Sequence, residues 1–376
     1  MSGAPLRVAH VVASTGRSGV ESYLRALLPS FKPAQVQARV FVPGPGPLVD
    51  ALHAHGVTAE PGAPASKFAW GEARTLAARL HGQCDILHAH GPRAAFWSAQ
   101  VAEAARIPGF VCTVHELRWL SLPPGPRRAL WVAFESWALA RADRLVVLSH
   151  DSETRVRERF PQWAARLVRV PSSTPLLLDD RTLPRAHPGS PETPLRVVAI
   201  GRFDWVKRHD RLLDAVAIAA RRGIALELHL AGDGPLAPAL REQAHRLGIL
   251  DRLHWPGANF DVPALLASGH VFATASHTET FGIAALEAMA VGLPVVTCDN
   301  GGVSELVLDG DCGHVVRERS DPGAAQGLAE ALMMLASDPA RRARLGESAA
   351  RRAREHYSPE AMARATTAVY AQAMRG

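Results

Sequence analysis

Short, almost wholly apolar runs recur along this chain, each followed by a stretch of helical spacing, and the series is written twice. In the first half LRVAHVVA, ARVFVP, DILHAH, FVCTVHE and RLVVLS read as strands. Between them VESYLRALL, PLVDALHAH, RAAFWSAQVAEAAR and RRALWVAFESWALAR read as helices, with a short one after Ser149. Strands that lack polar alternation are buried on both faces, as when helices cover both sides of a parallel sheet. From Pro171 to Pro194 the pattern stops, and prolines with small polar residues give the composition of a linker. LRVVAIGRF then begins a second series. It runs through a helix from Asp210, IALELHLAG, a helix to Leu247, RLHW, DVPALLAS, HVFATAS, another helix and PVVTC. Three helical stretches close the chain, at 321–337, 339–356 and 358–374. The fold class expected is α/β, two Rossmann-like doubly wound domains facing a central cleft. Their bounds are 1–175 and 195–357, with a linker at 176–194 and a last segment at 358–376. In open sheets of this kind ligands bind outside the C-terminal strand ends, so the cleft is the expected site.

Length agrees with two domains, since 376 residues exceed what one core usually serves. No apolar run reaches the roughly 20 residues of a membrane span, and no charged-then-apolar leader opens the chain. Cys84, Cys112, Cys298 and Cys312 lack the paired spacing of a zinc site or a disulfide framework. A reduced, cytoplasmic protein is the expectation. The net charge of +6 is uneven: residues 1–175 carry 20 Lys/Arg against 12 Asp/Glu, and the remainder 22 against 24. A basic half suits a nucleic acid, an acidic substrate or an anionic membrane. It equally suits arginine-rich composition, since only three of the 42 cations are lysine.

The richest stretch is SHTETFGIAALEAMAVGLP, from Ser276 to Pro294. A buried strand runs into a polar turn and then a helix, which leaves unpaired amides and the positive end of a dipole facing a ligand. Glu279 falls in the turn and Glu287 about a turn and a half into the helix, so both can flank a group lying over that end. In IGRFDWVKRHD, Arg202 and Lys207 follow the first strand of the second series. Two cations there can neutralise a departing diphosphate without a metal. Gly16 and Gly19 precede the first helix in a turn that admits a phosphate but lacks the dinucleotide fingerprint. His115 ends FVCTVHE, placed to bond a sugar hydroxyl or to help a proton move. His88 and His90 are read as facing opposite ways and as structural, with His90, at its strand end, able to touch an acceptor. Asp309 and Asp311 have a metal-binding spacing but read as a turn, and RRARLGESAARRAREHY reads as a solvated helix surface with no role in nucleic-acid binding.

Taken together, SGVES, GRFDWVK, ETFGIAALE and GLPVVTCDNGGVSELVLDGDCG resemble the retaining glycosyltransferases of family 4, which have the GT-B fold. The likeness covers nearly the whole chain. It implies a nucleotide sugar held mainly by the C-terminal domain, an acceptor held mainly by the N-terminal one, no catalytic metal or other cofactor, and a last helix that crosses back to the N-terminal domain. On the resemblance, Glu279 holds the donor sugar's hydroxyls, Glu287 the ribose hydroxyls, and Arg202 and Lys207 the diphosphate. The backbone at Gly19, Gly282 and Ile283 assists, Gly257 and Phe281 line the donor, and His115 lies beside the sugar. Front-face attack, in which the leaving phosphate takes the acceptor's proton, needs positioning and charge stabilisation rather than a strong base. The chain departs from the family at Ser18, Thr280, Asn259, Phe260 and Ser304.

The function implied is transfer from a UDP- or GDP-sugar to a glycan, lipid-linked or small-molecule acceptor, in cell-surface polysaccharide or glycoconjugate synthesis. The alternatives are a nucleotide-sugar epimerase of the same fold and a non-catalytic sugar-nucleotide-binding subunit. HELRWLSLPPGPRRALWVAFESW sets Trp119, Trp131 and Trp137 among Arg118, Arg127 and Arg128. It suggests an acceptor-side edge that rests on an anionic membrane, or else a loop and helix packed into the domain.

Overall fold

The structure is a computed structural model. It describes residues 4–374 except Arg17, Lys67, Pro123, Pro124, 180–182, Pro188, Pro191 and Glu192, and excludes the side chains of Arg118, Ser121 and Arg127. The chain divides into two compact units, residues 1–175 with 358–376 and residues 176–357.

The first unit alternates β1 (Leu6–Val12), α1 (Gly19–Leu27), β2 (Val36–Val42), α2 (Pro47–His53), β3 (Ala59–Pro61), α3 (Trp70–Leu80), β4 (Ile86–His90) and α4 (Pro92–Ala105). It continues with β5 (Gly109–Thr113), α5 (Arg118–Ser121), α6 (Pro126–Leu139), β6 (Arg144–Val147), α7 (His150–Arg159) and β7 (Leu167–Arg169). All strand pairs are parallel, in the order β3-β2-β1-β4-β5-β6-β7. Every residue of β4 and β5 is buried, as expected of central strands covered by helices on both faces. The α3 helix went unread, although Ala73, Leu76, Ala77 and Leu80 bury one face at helical spacing. The three-residue β3 edge strand, ending in Pro61, carried too little signal to find.

The second unit runs β8 (Leu195–Ile200), α8 (His209–Arg221), β9 (Leu226–Ala231), α9 (Ala237–Leu247), β10 (Leu253–His254), α10 (Val262–Ser268) and β11 (Val271–Thr274). Then come α11 (Ile283–Ala290), β12 (Val295–Cys298), α12 (Gly302–Leu306), β13 (Gly313–Val316), α13 (Asp321–Ser337) and α14 (Pro339–His356). Its parallel sheet has the order β10-β9-β8-β11-β12-β13. In both sheets the order reverses beside the first strand of the series, the signature of the doubly wound α/β class read from the sequence. The proline-rich stretch is partly folded into this unit: Leu183 is buried and the Ala186 amide donates to the Val291 carbonyl at 2.9 Å.

The last helix, α15 (Pro359–Ala373), belongs to the first unit. Ser358 caps it by accepting from the Ala361 amide at 3.2 Å, and Pro359 takes the first turn, where no donor is needed. Asp338 and Pro339 start α14 in the same way. One cation of α14 is not solvated as expected. Arg342 is 2% exposed and its Nη1 donates to the carbonyls of Leu335 and Ala336, closing the C-terminus of α13. Asp309 and Asp311 do form a turn, and each carboxylate has its own partner. Asp309 accepts from the Val315 amide at 3.0 Å and Asp311 from Ser348 Oγ at 3.1 Å.

Candidate active site

At the C-terminal ends of β8, β11 and β12 the second unit brings three loops together. The first carries Arg202 and Lys207. Asp204 shapes it, because its Oδ1 accepts from the amides of Val206 and Lys207 at 3.1 and 3.2 Å. Lys207 Nζ then donates to Glu279 Oε1 in the loop after β11. Ser276 Oγ donates to the same oxygen at 2.9 Å. The main chain of Glu279 is held by the third loop: its amide donates to the Asn300 carbonyl at 3.0 Å, and its carbonyl accepts from the Gly302 amide at 2.9 Å. A carboxylate is thus fixed at both its side chain and its backbone.

Two glycines make this junction possible. Gly282 has φ +94°, a conformation that L side chains rarely adopt, and opens α11. A Cβ on Gly302 would lie 2.5 Å from the Phe281 nitrogen and the Thr280 carbonyl carbon, so only glycine lets the loops touch. Because α11 begins without a side-chain cap, its first amides are left for water or a ligand, and its dipole favours an anion. Glu287 lies in the second turn of α11 and is 7% exposed. Helix side chains lean toward the N-terminus, the end that Glu279 precedes. Phe281 is buried edge-on against Tyr357, with centroids 5.7 Å apart. Gly257, after β10, accepts from the Gly232 amide at 2.8 Å. Arg202 reaches into solvent, 71% exposed, with Asp204 Oδ2 3.6 Å from its Nε. An exposed guanidinium, a fixed ammonium and a helix start can hold a polyanion, while the two glutamates can accept from hydroxyls.

In the first unit His115 follows β5, half-buried, with Nε2 3.2 Å from His90 Nδ1 and its ring edge-on to Tyr23. Burial pushes its pKa down to about 3, so it works as a neutral hydrogen-bonding ring and not as an imidazolium. His90 is 3% exposed and both its ring nitrogens face other histidines, so it is a buried group and not a surface contact for an acceptor. The opposite orientation expected for His88 and His90 is also corrected. Residues two apart in a strand share a face, and these rings have centroids 4.3 Å apart. Trp119 is half-buried, edge-on to Phe160 at 5.3 Å; the Arg118 side chain lies outside the described residues. Gly19 is the first residue of α1, where Ser18 caps the helix by accepting from the Glu21 amide at 3.4 Å. The departure at Ser304 also has a structural role, since its Oγ accepts from the Asn300 amide at 3.1 Å.

Sequence reasoning did not single out Asp204, Ser276, Asn300 or Gly302. The adjacent glycines after the strand in CDNGG were the available signal, because a glycine pair at a strand end marks close approach of another backbone.

Two family models match the chain. "Glycosyltransferase Family 4" covers residues 17–176 and "Glycosyl transferases group 1" covers residues 180–352. The D-inositol 3-phosphate glycosyltransferase of Thermomonospora curvata is 31% identical over 356 residues, 85% of this chain and 77% of the relative. The glycogen synthase of Mycobacterium tuberculosis is 27% identical over 303 residues, 78% and 70% of the two chains. Among solved structures, Anabaena HepE in complex with UDP-glucose superposes with a TM-score of 0.81 at 21% identity, covering 96% of this chain and 98% of that one.

Proposed function

Since this chain belongs to glycosyltransferase family 4 and has the two-sheet GT-B architecture, we propose that it is a retaining, metal-independent transferase of a sugar from a UDP- or GDP-sugar. The acceptor is a glycan, a lipid-linked sugar or a small molecule, in the making of cell-surface polysaccharide or glycoconjugate. The observation that carries the reading is the Lys207–Glu279 pair, fixed beside the uncapped start of α11. On donor binding, Lys207, Arg202 and the α11 amides meet the diphosphate, Glu279 a hydroxyl of the sugar, and Glu287 the ribose. From the first unit the reading takes His115 for a sugar hydroxyl. As the glycosidic bond breaks, negative charge grows on the leaving phosphate, and preorganised cations stabilise it without reorganisation. That phosphate oxygen takes the proton of the attacking hydroxyl, so no protein base is required. UDP is favoured as the nucleotide, because HepE binds UDP and UDP-glucose in solved structures.

A thermal-shift screen against UDP-, GDP-, ADP- and dTDP-sugars and their free diphosphates, without added metal, tests this. Stabilisation by one nucleotide series, lost in Glu287→Ala, is expected. No shift with any of them would count against the donor reading.

On the first unit, α6 exposes Leu130 (72%) and Trp137 (38%), with the Arg141 guanidinium 3.7 Å from the centroid of the Trp137 ring. This apolar and cationic pairing supports contact with an anionic membrane at the inner face of the cell membrane, where a lipid-linked acceptor is presented. Among the described residues no helix is long and apolar enough to cross a membrane.

A further inference from the structure

In the second unit β9 carries Glu227 and His229 two positions apart, so both side chains stand on the same face of the sheet. It is the face opposite the one where Leu226, Leu228 and Leu230 join the core. The register of the neighbouring strand β10 sets His254 directly across from His229. Backbone pairing alone thus gathers one carboxylate and two imidazoles. The side chains complete the grouping, since one ligand atom from each lies within 4.8 Å of the other two. The two rings stack with centroids 4.4 Å apart, and His229 Nε2 is 3.9 Å from Glu227 Oε2.

That separation is too long for a hydrogen bond. His229 Nε2 is nevertheless shielded from solvent and has no hydrogen-bond partner among the described residues, a state that costs free energy. Two zinc bonds of about 2.0–2.1 Å span about 4.1 Å at most. An ion therefore fits between these two atoms, and small side-chain rotations bring them to the roughly 3.3 Å of a tetrahedral site. His254 is exposed, so its ring can close the remaining distance and leaves the ion a way in. Burial, with His254 alongside, holds His229 below the usual histidine range, which keeps its lone pair available at neutral pH. Two imidazoles with one carboxylate suit zinc, whereas calcium and magnesium take oxygen ligands. In the first unit His10, His88 and His90 also lie close enough to share an ion, but there the nitrogens have partners. His90 Nε2 is 3.0 Å from His10 Nδ1, and His10 Nε2 is 3.4 Å from the Tyr370 hydroxyl. His88 lies 2.8 Å from that hydroxyl through Nδ1 and 2.7 Å from Thr113 Oγ1 through Nε2. That buried histidine line needs no ion to satisfy it.

We propose that Glu227, His229 and His254 bind one zinc ion that staples β10 to β9. Three protein ligands leave the fourth position to water. The staple secures a weak edge, because β10 is two residues long. Three positions beyond His229 and His254, the Gly232 amide donates to the Gly257 carbonyl at 2.8 Å, so the same ion steadies the start of both loops. None of the three ligands lies in the loops that carry Arg202, Lys207 and Glu279, so the ion is structural and not catalytic.

Zinc alone is the probe. The full-length, untagged protein is stripped with EDTA, dialysed and titrated with zinc sulfate in a calorimeter, and the bound metal is counted by mass spectrometry. One equivalent is expected in the native protein. Its affinity should fall by about tenfold or more in His229→Gln and in His254→Gln, since even partners outside the ligand shell are worth about 10–100-fold. Zinc should also raise the Tm of the native protein and leave that of both variants where it was. Both histidines are at least partly exposed, so the variants should fold as the native protein does. An equivalent bound at full affinity by both variants would put the ion elsewhere, such as in the buried trio of the first unit, and overturn the proposal. So would a native protein that takes up no zinc. Uptake is read without turnover, so the outcome is independent of the glycosyltransferase reading.

Discussion

Acidification from pH 7 to pH 5 should strip stability from the first unit well before its carboxylates titrate. His10, His88 and His90 are fully or almost fully buried, and their folded pKa values lie far below the roughly 6.5 of an unfolded histidine. Below that value the unfolded chain takes up protons that the folded one refuses. The stability is therefore complete above about pH 6.5 and is lost as pH falls toward the folded pKa. Over this interval His10, held to about 3, alone costs about 1.9 kcal/mol, against about 5–15 kcal/mol for a whole domain, and His88 and His90 act in the same direction. Asp85 and Glu60, held low by Arg7 and Arg39, act in a more acid window. In the second unit His209 and His270 are held to about 4 and His229 and His314, only partly buried, are lowered as well, so with fewer fully buried histidines among its described residues that unit should lose less. Urea unfolding at pH 7, 6 and 5, followed by tryptophan fluorescence, reports mainly on the first unit, which holds six of the eight tryptophans. His10→Asn should reduce the loss between pH 7 and pH 5 by about 1.9 kcal/mol. An identical midpoint at pH 7 and pH 5 would refute the account of these rings as buried and neutral.

Three further outcomes are expected. Lys207→Ala and Glu279→Ala should each lower turnover by about two orders of magnitude, the scale of one preorganised electrostatic contact; unchanged initial rates in either variant would remove that residue from the site. Gly302→Ala places a Cβ against the backbone of Thr280 and Phe281. It should cost about 1–3 kcal/mol in a thermal melt and weaken donor binding, and an unaltered melt would mean the loops part freely. Co-sedimentation with anionic vesicles at low salt should detect the native protein and lose it in Trp137→Ala. Absence of binding by the native protein would end the membrane proposal.

Much of this molecule was legible locally. Strands buried on both faces carry an apolar pattern that needs no partner to be recognised, and the closing helices announce themselves by Ser358-Pro359 and Asp338-Pro339. The turn of ETFG, with a glutamate before it and another inside the helix, is likewise a property of adjacent residues, as is the pair of cations after β8. Even α3 was readable from its spacing, and the same-face placement of His88 and His90 follows from strand alternation alone. What depends on chain segments far apart was not readable. That Glu279 is pinned by Asn300 and Gly302, or that Lys207 reaches it across 72 positions, depends on which strands lie side by side. The buried histidine line is the extreme case, since Tyr370 bonds His88 from 282 positions away. Periodicity reports which face of an element is apolar. Which polar groups meet inside that face, and which of them keep a proton, is decided only when the sheets and helices pack and water is excluded.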